Sequence, residues 1–335
     1  MPDLIPPFDF HQVFIAPWAG AFSVEQPGPP AVLWIAAMGF LVSSACGLVG
    51  AYLILRRMAL VGDAISHSVL PGIAIAFLLS GSRGSGAMFL GALAAGMVTT
   101  LIIEVIHRKS RIKHDSAIGI AFTTLFAIGV ILISVFAGQV DLDQECVLYG
   151  EIAWIPLENM VAWRGISLGP EPVVRMAVVL FLTVALILLF YKELLVSSFD
   201  AGLASSLGIN ATVVHYGLMC WLSVVVVSAF ESVGAILVVA MLILPGATAS
   251  LLSNRLGIVL ILTIVHSAIS SLLGIHLAYW LNCSMAAAMV VMGTVLFVLA
   301  WILAPRHGLV VRLLHRRLTE KHVPSGAEAE AASLS

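Results

Sequence analysis

The sequence predicts an all-α polytopic membrane protein of about nine transmembrane helices, and three observations carry that prediction. Its 335 residues are 61% hydrophobic and only 10% charged, whereas soluble domains carry about 25% charged residues. Mean hydropathy is +1.09, and the apolar residues gather into runs of the roughly twenty residues that a helix needs to cross a bilayer. The few basic residues crowd onto alternate connections between these runs, as they do in cytoplasmic loops.

In order, the runs are Ala31–Leu55, Met58–Leu79, Gly86–Ile106, Ser116–Ala137, Val174–Tyr191, Thr212–Phe230, Val233–Leu252, Gly257–Trp280 and Met285–Leu303. The second and seventh follow their predecessors through very short turns, so eight or ten crossings stay open. With the N-terminus outside, the outer connections receive only Arg83, Arg164 and Arg175. The other thirteen of the sixteen Lys and Arg, from Arg56 and Arg57 to Lys321, fall inside. An N-out, C-in chain is the expectation.

Three parts follow: an outer N-terminal segment 1–30, a transmembrane body 31–303 and a cytoplasmic tail 304–335. The first is proline-rich and lacks the basic start of a signal peptide. The end of the tail is small, polar and acidic, a composition that stays disordered. No basic face is present for nucleic acid.

Two connections are long. The outer one, 138–172, holds Asp141, Asp143, Glu145, Glu151, Glu158 and Glu171. It reads first as a solvated loop, and second as a surface that gathers cations or meets a delivery protein. The inner one, 192–211, contains a short helix signal: Ser198 or Asp200 suits its N-cap and Gly208 its end. A helix of about 12 Å there is either a linker or the place where a cytoplasmic engine engages.

Asp63 and His67 stand four residues apart inside the second run. On a helix they share a face, with Ser66 expected beside them. Ionisable groups at membrane depth cost about 2.5–3.5 kcal/mol each on insertion scales, so they face a pathway or a partner. A carboxylate and an imidazole are half of a divalent-metal site, the rest of which another helix or a second chain must supply. Mutual satisfaction of the two side chains, or proton relay, are the competing readings.

Glu231 lies at the outer junction of the sixth and seventh runs, as an exposed turn residue or a further ligand. Glu104 is expected to pair with the basic cluster around His107–His114, and His215, His266 and His276 read as satisfied core histidines. Cys46 and Cys220 read as small core residues, while Cys146 and Cys283 leave an outer disulfide open. Small residues at helical spacing, Ala87/Gly91 and Ala92/Gly96, suit close helix packing. Leu70-Pro71-Gly72 recurs as Leu244-Pro245-Gly246 in an oppositely directed run, a pattern of inverted-repeat transporters or simply two kinks. No lysine follows a glycine, and HExxH is missing, so the chain has no phosphate loop of its own and no zinc-protease signature.

The run Arg56-Arg57-Met58-Ala59-Leu60-Val61-Gly62-Asp63-Ala64-Ile65-Ser66-His67-Ser68-Val69-Leu70-Pro71-Gly72 resembles the signature of membrane permeases of zinc, manganese and iron ABC importers. Val233 through Ala249 resembles their second signature, and Phe199-Asp200 through Leu207-Gly208-Ile209 their cytoplasmic coupling segment. The likeness runs from about Leu33 to Trp301, and Asp141 through Glu151 resembles the outer loop of a subset of these permeases. The resemblance implies a type II importer fold in a bacterial inner membrane, and it implies a transport subunit rather than an enzyme. No resident cofactor is implied, only a transported Mn²⁺, Zn²⁺ or Fe²⁺. The implied partners are a second permease chain, two cytoplasmic ABC ATPase subunits and an outer metal-binding lipoprotein. By that likeness Asp63 and His67 line the path and coordinate metal, with Glu231 and Ser66 as further candidates. Asp200, Ala204 and Gly208 would serve ATPase coupling. A proton-coupled secondary transporter of a cation is the alternative.

Overall fold

The computed structural model describes residues 9–19, 31–80, 85–136, 152–163, 166–304 and 308. Asp141, Asp143, Glu145, Cys146, Glu151 and the tail beyond 308 lie outside the described residues. So, therefore, does the disulfide left open for Cys146. Ten helices carry the body: α1 Ala31–Leu55, α2 Val61–Ser80, α3 Ser85–Lys109, α4 His114–Phe136, α5 Glu171–Leu189, α6 Tyr191–Phe199, α7 Ala201–Ser206, α8 Ala211–Leu252, α9 Leu256–Leu281 and α10 Met285–Leu303. A 3-10 turn Ile152–Leu157 and an antiparallel hairpin, β1 Met160–Trp163 with β2 Ile166–Pro170, precede α5.

Among the described residues eight helices are long and apolar enough to cross a membrane, and Ile236–Leu252 is a shorter ninth apolar helix. The sixth and seventh expected spans are the two arms of α8. At 1.5 Å per residue its 42 residues would far exceed a bilayer if straight. Gly234 breaks it, with φ 77° and ψ 168°, a region that is essentially glycine-only. The chain turns back there. Val213–Trp221 of the first arm line a cavity with Val49 and Tyr52 of α1, while Leu242 and Pro245 of the second arm press on Gly50 and Gly47 of the same helix.

Helix α1 is apolar all round and buried along most of its length, as a central helix should be. Its glycines admit neighbours closely: a Cβ on Gly50 would collide with the Leu242 carbonyl. Helix α2 leans on α3 and α4. Gly72 meets the Gly91 backbone, and Gly96 faces Ile65 and Ser223, so both expected small-residue pairs serve packing. The two Leu-Pro-Gly triplets sit inside helices, and each proline presses on a neighbour's glycine, Pro71 on Gly129 and Pro245 on Gly47.

The corner between α1 and α2 is tightly built. Met58 N–H bonds to the Leu53 carbonyl (2.8 Å) and Arg57 N–H to the Ile54 carbonyl (3.0 Å), the paired bonds of a Schellman stop. Arg57 holds its left-handed position at φ 58° without being glycine. Cys46 is buried as expected, whereas Cys220 faces outward.

Candidate functional site

Asp63 falls in the first turn of α2 and His67 one turn later, with Asp63 Oδ1 3.4 Å from His67 Nε2. Their side chains remain 34% and 37% exposed, so the pair is only partly consumed by its own contact. The His67 ring is held from behind by Phe122 and Phe126 of α4, at centroid distances of 5.7 and 6.0 Å. Pro71 has no N–H to give to the His67 carbonyl four residues earlier, so that oxygen lacks its helical partner.

Both side chains open onto a cleft of about 470 Å³. Its other wall is Ile236, Val239, Ala240, Ile243 and Leu244 of the second α8 arm, with Val290 and Thr294 of α10. That wall is apolar apart from Thr294, whose hydroxyl donates to the Val290 carbonyl at 2.9 Å. A divalent cation in this cleft would meet one carboxylate, one imidazole and few competing donors. Among the described residues no three His, Cys, Asp or Glu groups converge on one point. One chain by itself thus brings one carboxylate and one imidazole to this cleft.

Ser66 does not join the pair. It is 2% exposed and its hydroxyl donates to the Gly62 carbonyl at 3.1 Å. At about 100° per residue, Ser66 and His67 lie on opposite flanks of Asp63, and the flank of Ser66 is the one that packs inward. Glu231 lies on the helix just before the Gly234 break, and its side chain is outside the described residues. Thr294, Phe122 and Phe126 were not singled out from the sequence. Only the tertiary packing brings them to α2.

A second acid–histidine contact lies where α1, α3, α6 and α8 meet. Glu104 bonds Arg108 and stands 3.4 Å from His215 Nε2. Arg56 meets His215 Nδ1 at 3.3 Å. A guanidinium can only donate and a carboxylate only accept, so His215 Nδ1 accepts a hydrogen bond from Arg56 while its Nε2–H donates to Glu104. Each oxygen of Glu104 thus has a partner within the chain. The pairing expected for Glu104 is present, and His215, His266 and His276 each have a hydrogen-bond partner: His266 at Gly293 O (3.2 Å), His276 at Val13 O (2.8 Å).

The inner connection forms α7 as its caps predict. Asp200 Oδ1 accepts from Gly202 N–H (2.8 Å) and Leu203 N–H (3.1 Å). Gly208, at φ 78°, ends the helix with a bond from Ile209 N–H to the Ala204 carbonyl. Ala204 is fully buried beneath the helix, and Phe199, Leu203 and Leu207 stand out from it, 62%, 51% and 61% exposed.

Residues 30–304 match the sequence profile of the ABC 3 transport family. The chain belongs to that family. Among ABC 3 relatives, the manganese transport system membrane protein MntD of Bacillus subtilis (strain 168) is 46% identical over 281 residues, covering 84% of this chain and 95% of MntD. The zinc transport system membrane protein TroD of Treponema pallidum (strain Nichols) is 42% identical over 285 residues, 84% of this chain and 77% of TroD. The solved structure of PsaBC from Streptococcus pneumoniae, in complex with a Fab, superposes with a TM-score of 0.70 at 33% identity, covering 88% of this chain and 97% of that one. The ABC 3 assignment bears out the likeness drawn from the two signatures. This ABC 3 chain is a multi-pass permease and thus a transport component rather than an enzyme.

Proposed function

We propose that this chain is the transmembrane permease of an ATP-driven importer of divalent transition metal ions, Mn²⁺, Zn²⁺ or Fe²⁺, and that Asp63 and His67 form its half of the ion path. The observation that carries the reading is an acid–histidine pair left open on an apolar cleft in a member of a family whose relatives bear manganese and zinc transport names. An ion crossing a bilayer must exchange water for other ligands. Asp63 and His67 of two facing permease chains would replace that shell without engulfing the ion, so release stays possible.

The chain has no phosphate loop, so hydrolysis belongs to separate ABC ATPase subunits. The α7 helix is their docking element, on the cytoplasmic side of an N-out, C-in bacterial inner-membrane protein. Its roles divide by burial: Asp200 and Gly208 start and stop the helix, Ala204 seats it, and Phe199, Leu203 and Leu207 face the ATPase. An outer metal-binding lipoprotein delivers the ion, and a second permease chain completes the path. Proton-coupled secondary transport of a cation is disfavoured by family membership.

The test is uptake of Mn²⁺ and Zn²⁺ by the assembled transporter in vesicles, with and without ATP. Asp63→Ala is expected to abolish uptake while membrane insertion and ATPase association persist. Full uptake by that variant would remove Asp63 from the path, and uptake that follows a proton gradient without ATP would favour the secondary transporter.

A further inference from the structure

Arg56 ties the helix before α7 to the corner that launches α2. Its Nη2 donates to Ser197 Oγ at 2.9 Å and its Nε to Ser198 Oγ at 3.2 Å, both on the last turn of α6. Its Nη1 donates to His215 near the start of α8. The neighbouring Arg57 is exposed, and the bonds to Ser197 and Ser198 come from Arg56. A guanidinium forks across two adjacent acceptors in a way that an ammonium cannot reproduce.

On one side of Arg56, Asp200 is at once the C-cap of α6 and the N-cap of α7. No loop separates the two helices, and a push on α7 is a push on Ser197 and Ser198. On the other side, the Schellman bonds lock Arg56 to the corner, and α2 begins at Val61 with Asp63 in its first turn. Helix α2 meets the second α8 arm where Gly62 packs on the Leu242 side chain. A shift of α2 there changes the distance between Asp63/His67 and the facing cleft wall.

We propose that Arg56 is the positioning residue through which movement of α7 reaches the Asp63/His67 pair, its fork on Ser197 and Ser198 converting a displacement at the docking helix into a change in the cleft. The inference rests on the importer reading above.

The experiment uses the full permease assembled with its ATPase subunits and binding protein in proteoliposomes, measuring Mn²⁺ moved per ATP hydrolysed. The Ser197→Ala/Ser198→Ala double variant removes both acceptors and leaves Arg56, the corner and the cleft intact. It is expected to keep the parent's ATPase rate and melting temperature while Mn²⁺ moved per ATP falls roughly tenfold, the loss expected for hydrogen bonds from a charged donor. Arg56→Lys is expected to fall between parent and double variant, because it keeps the charge and loses the fork. A double variant with the parental ratio overturns the proposal. So does one in which ATPase rate, uptake and melting temperature fall together, since that marks a merely structural tie. A parent complex that moves neither Mn²⁺ nor Zn²⁺ overturns the importer reading instead.

Discussion

Two acid–histidine contacts of equal length, 3.4 Å, sit at different places in this chain. Asp63 and His67 have one another, a backing of two phenylalanines and an open cleft. Glu104 is bonded by Arg108 and His215, and His215 in turn by Arg56, beside a separate cavity of about 640 Å³. The residue types are the same and the chemistry is opposite. A carboxylate with one oxygen on Arg108 and the other on His215 has less capacity left for a metal, whereas one that shares a single long contact with an imidazole retains more of it. The number of partners on the carboxylate, rather than the presence of acid and histidine, separates the two contacts.

The largest test of that contrast is Asp63→Ala. Loss of a charged ligand is expected to reduce ATP-dependent Mn²⁺ uptake by roughly a hundredfold or more, with the melting temperature of the purified permease unchanged. A variant that melts early would give Asp63 a structural role instead.

Glu104→Gln is expected to do the reverse. It removes the negative charge that Arg108 and His215 share and lowers stability by about 1–3 kcal/mol. This is read as an earlier thermal transition, while uptake per folded molecule holds. Uptake lost at full stability would mean that the ion visits this second contact too.

His67→Gln preserves size and one donor–acceptor group but removes the imidazole. A fall of roughly tenfold in uptake is expected, with a changed preference between Zn²⁺ and Mn²⁺ because imidazole favours zinc more than oxygen ligands do. Equal loss for both ions would reduce His67 to a support for Asp63. The smallest effect is reserved for Thr294→Val, whose hydroxyl is already bonded to Val290. Uptake within about twofold of the parent is expected, below one hydrogen bond's worth, and a larger loss would add Thr294 to the ion's ligands.

Local chemistry was legible in the sequence to the extent that it is local. The spans follow from run length. A short helix at 201–206 and its Gly208 end follow from capping preferences, which left Ser198 and Asp200 both open as its start, and the pairing of Glu104 follows from the basic cluster beside it. The open Asp63/His67 pair followed the same way, since two residues four apart share a helix face whatever surrounds them. Ser66 shows where this reasoning stops. Spacing puts it near Asp63 but cannot say which flank of α2 faces the protein, and it faces inward. The far wall of the cleft, the two phenylalanines behind His67 and the Arg56 fork join residues far apart along the chain. No period in a single run encodes such pairings. The turn at Gly234 was half visible: two spans abutting without a loop imply a reversal, but the shortness of the second arm emerges only from the backbone.

Helix α7 rests on two caps and one buried methyl group, that of Ala204, while the side chains of Leu203 and Leu207 are more than half exposed. On the importer reading, exchanging Leu203 or Leu207 would change what this helix presents to an ATPase while the two caps and the Ala204 seat stay as they are.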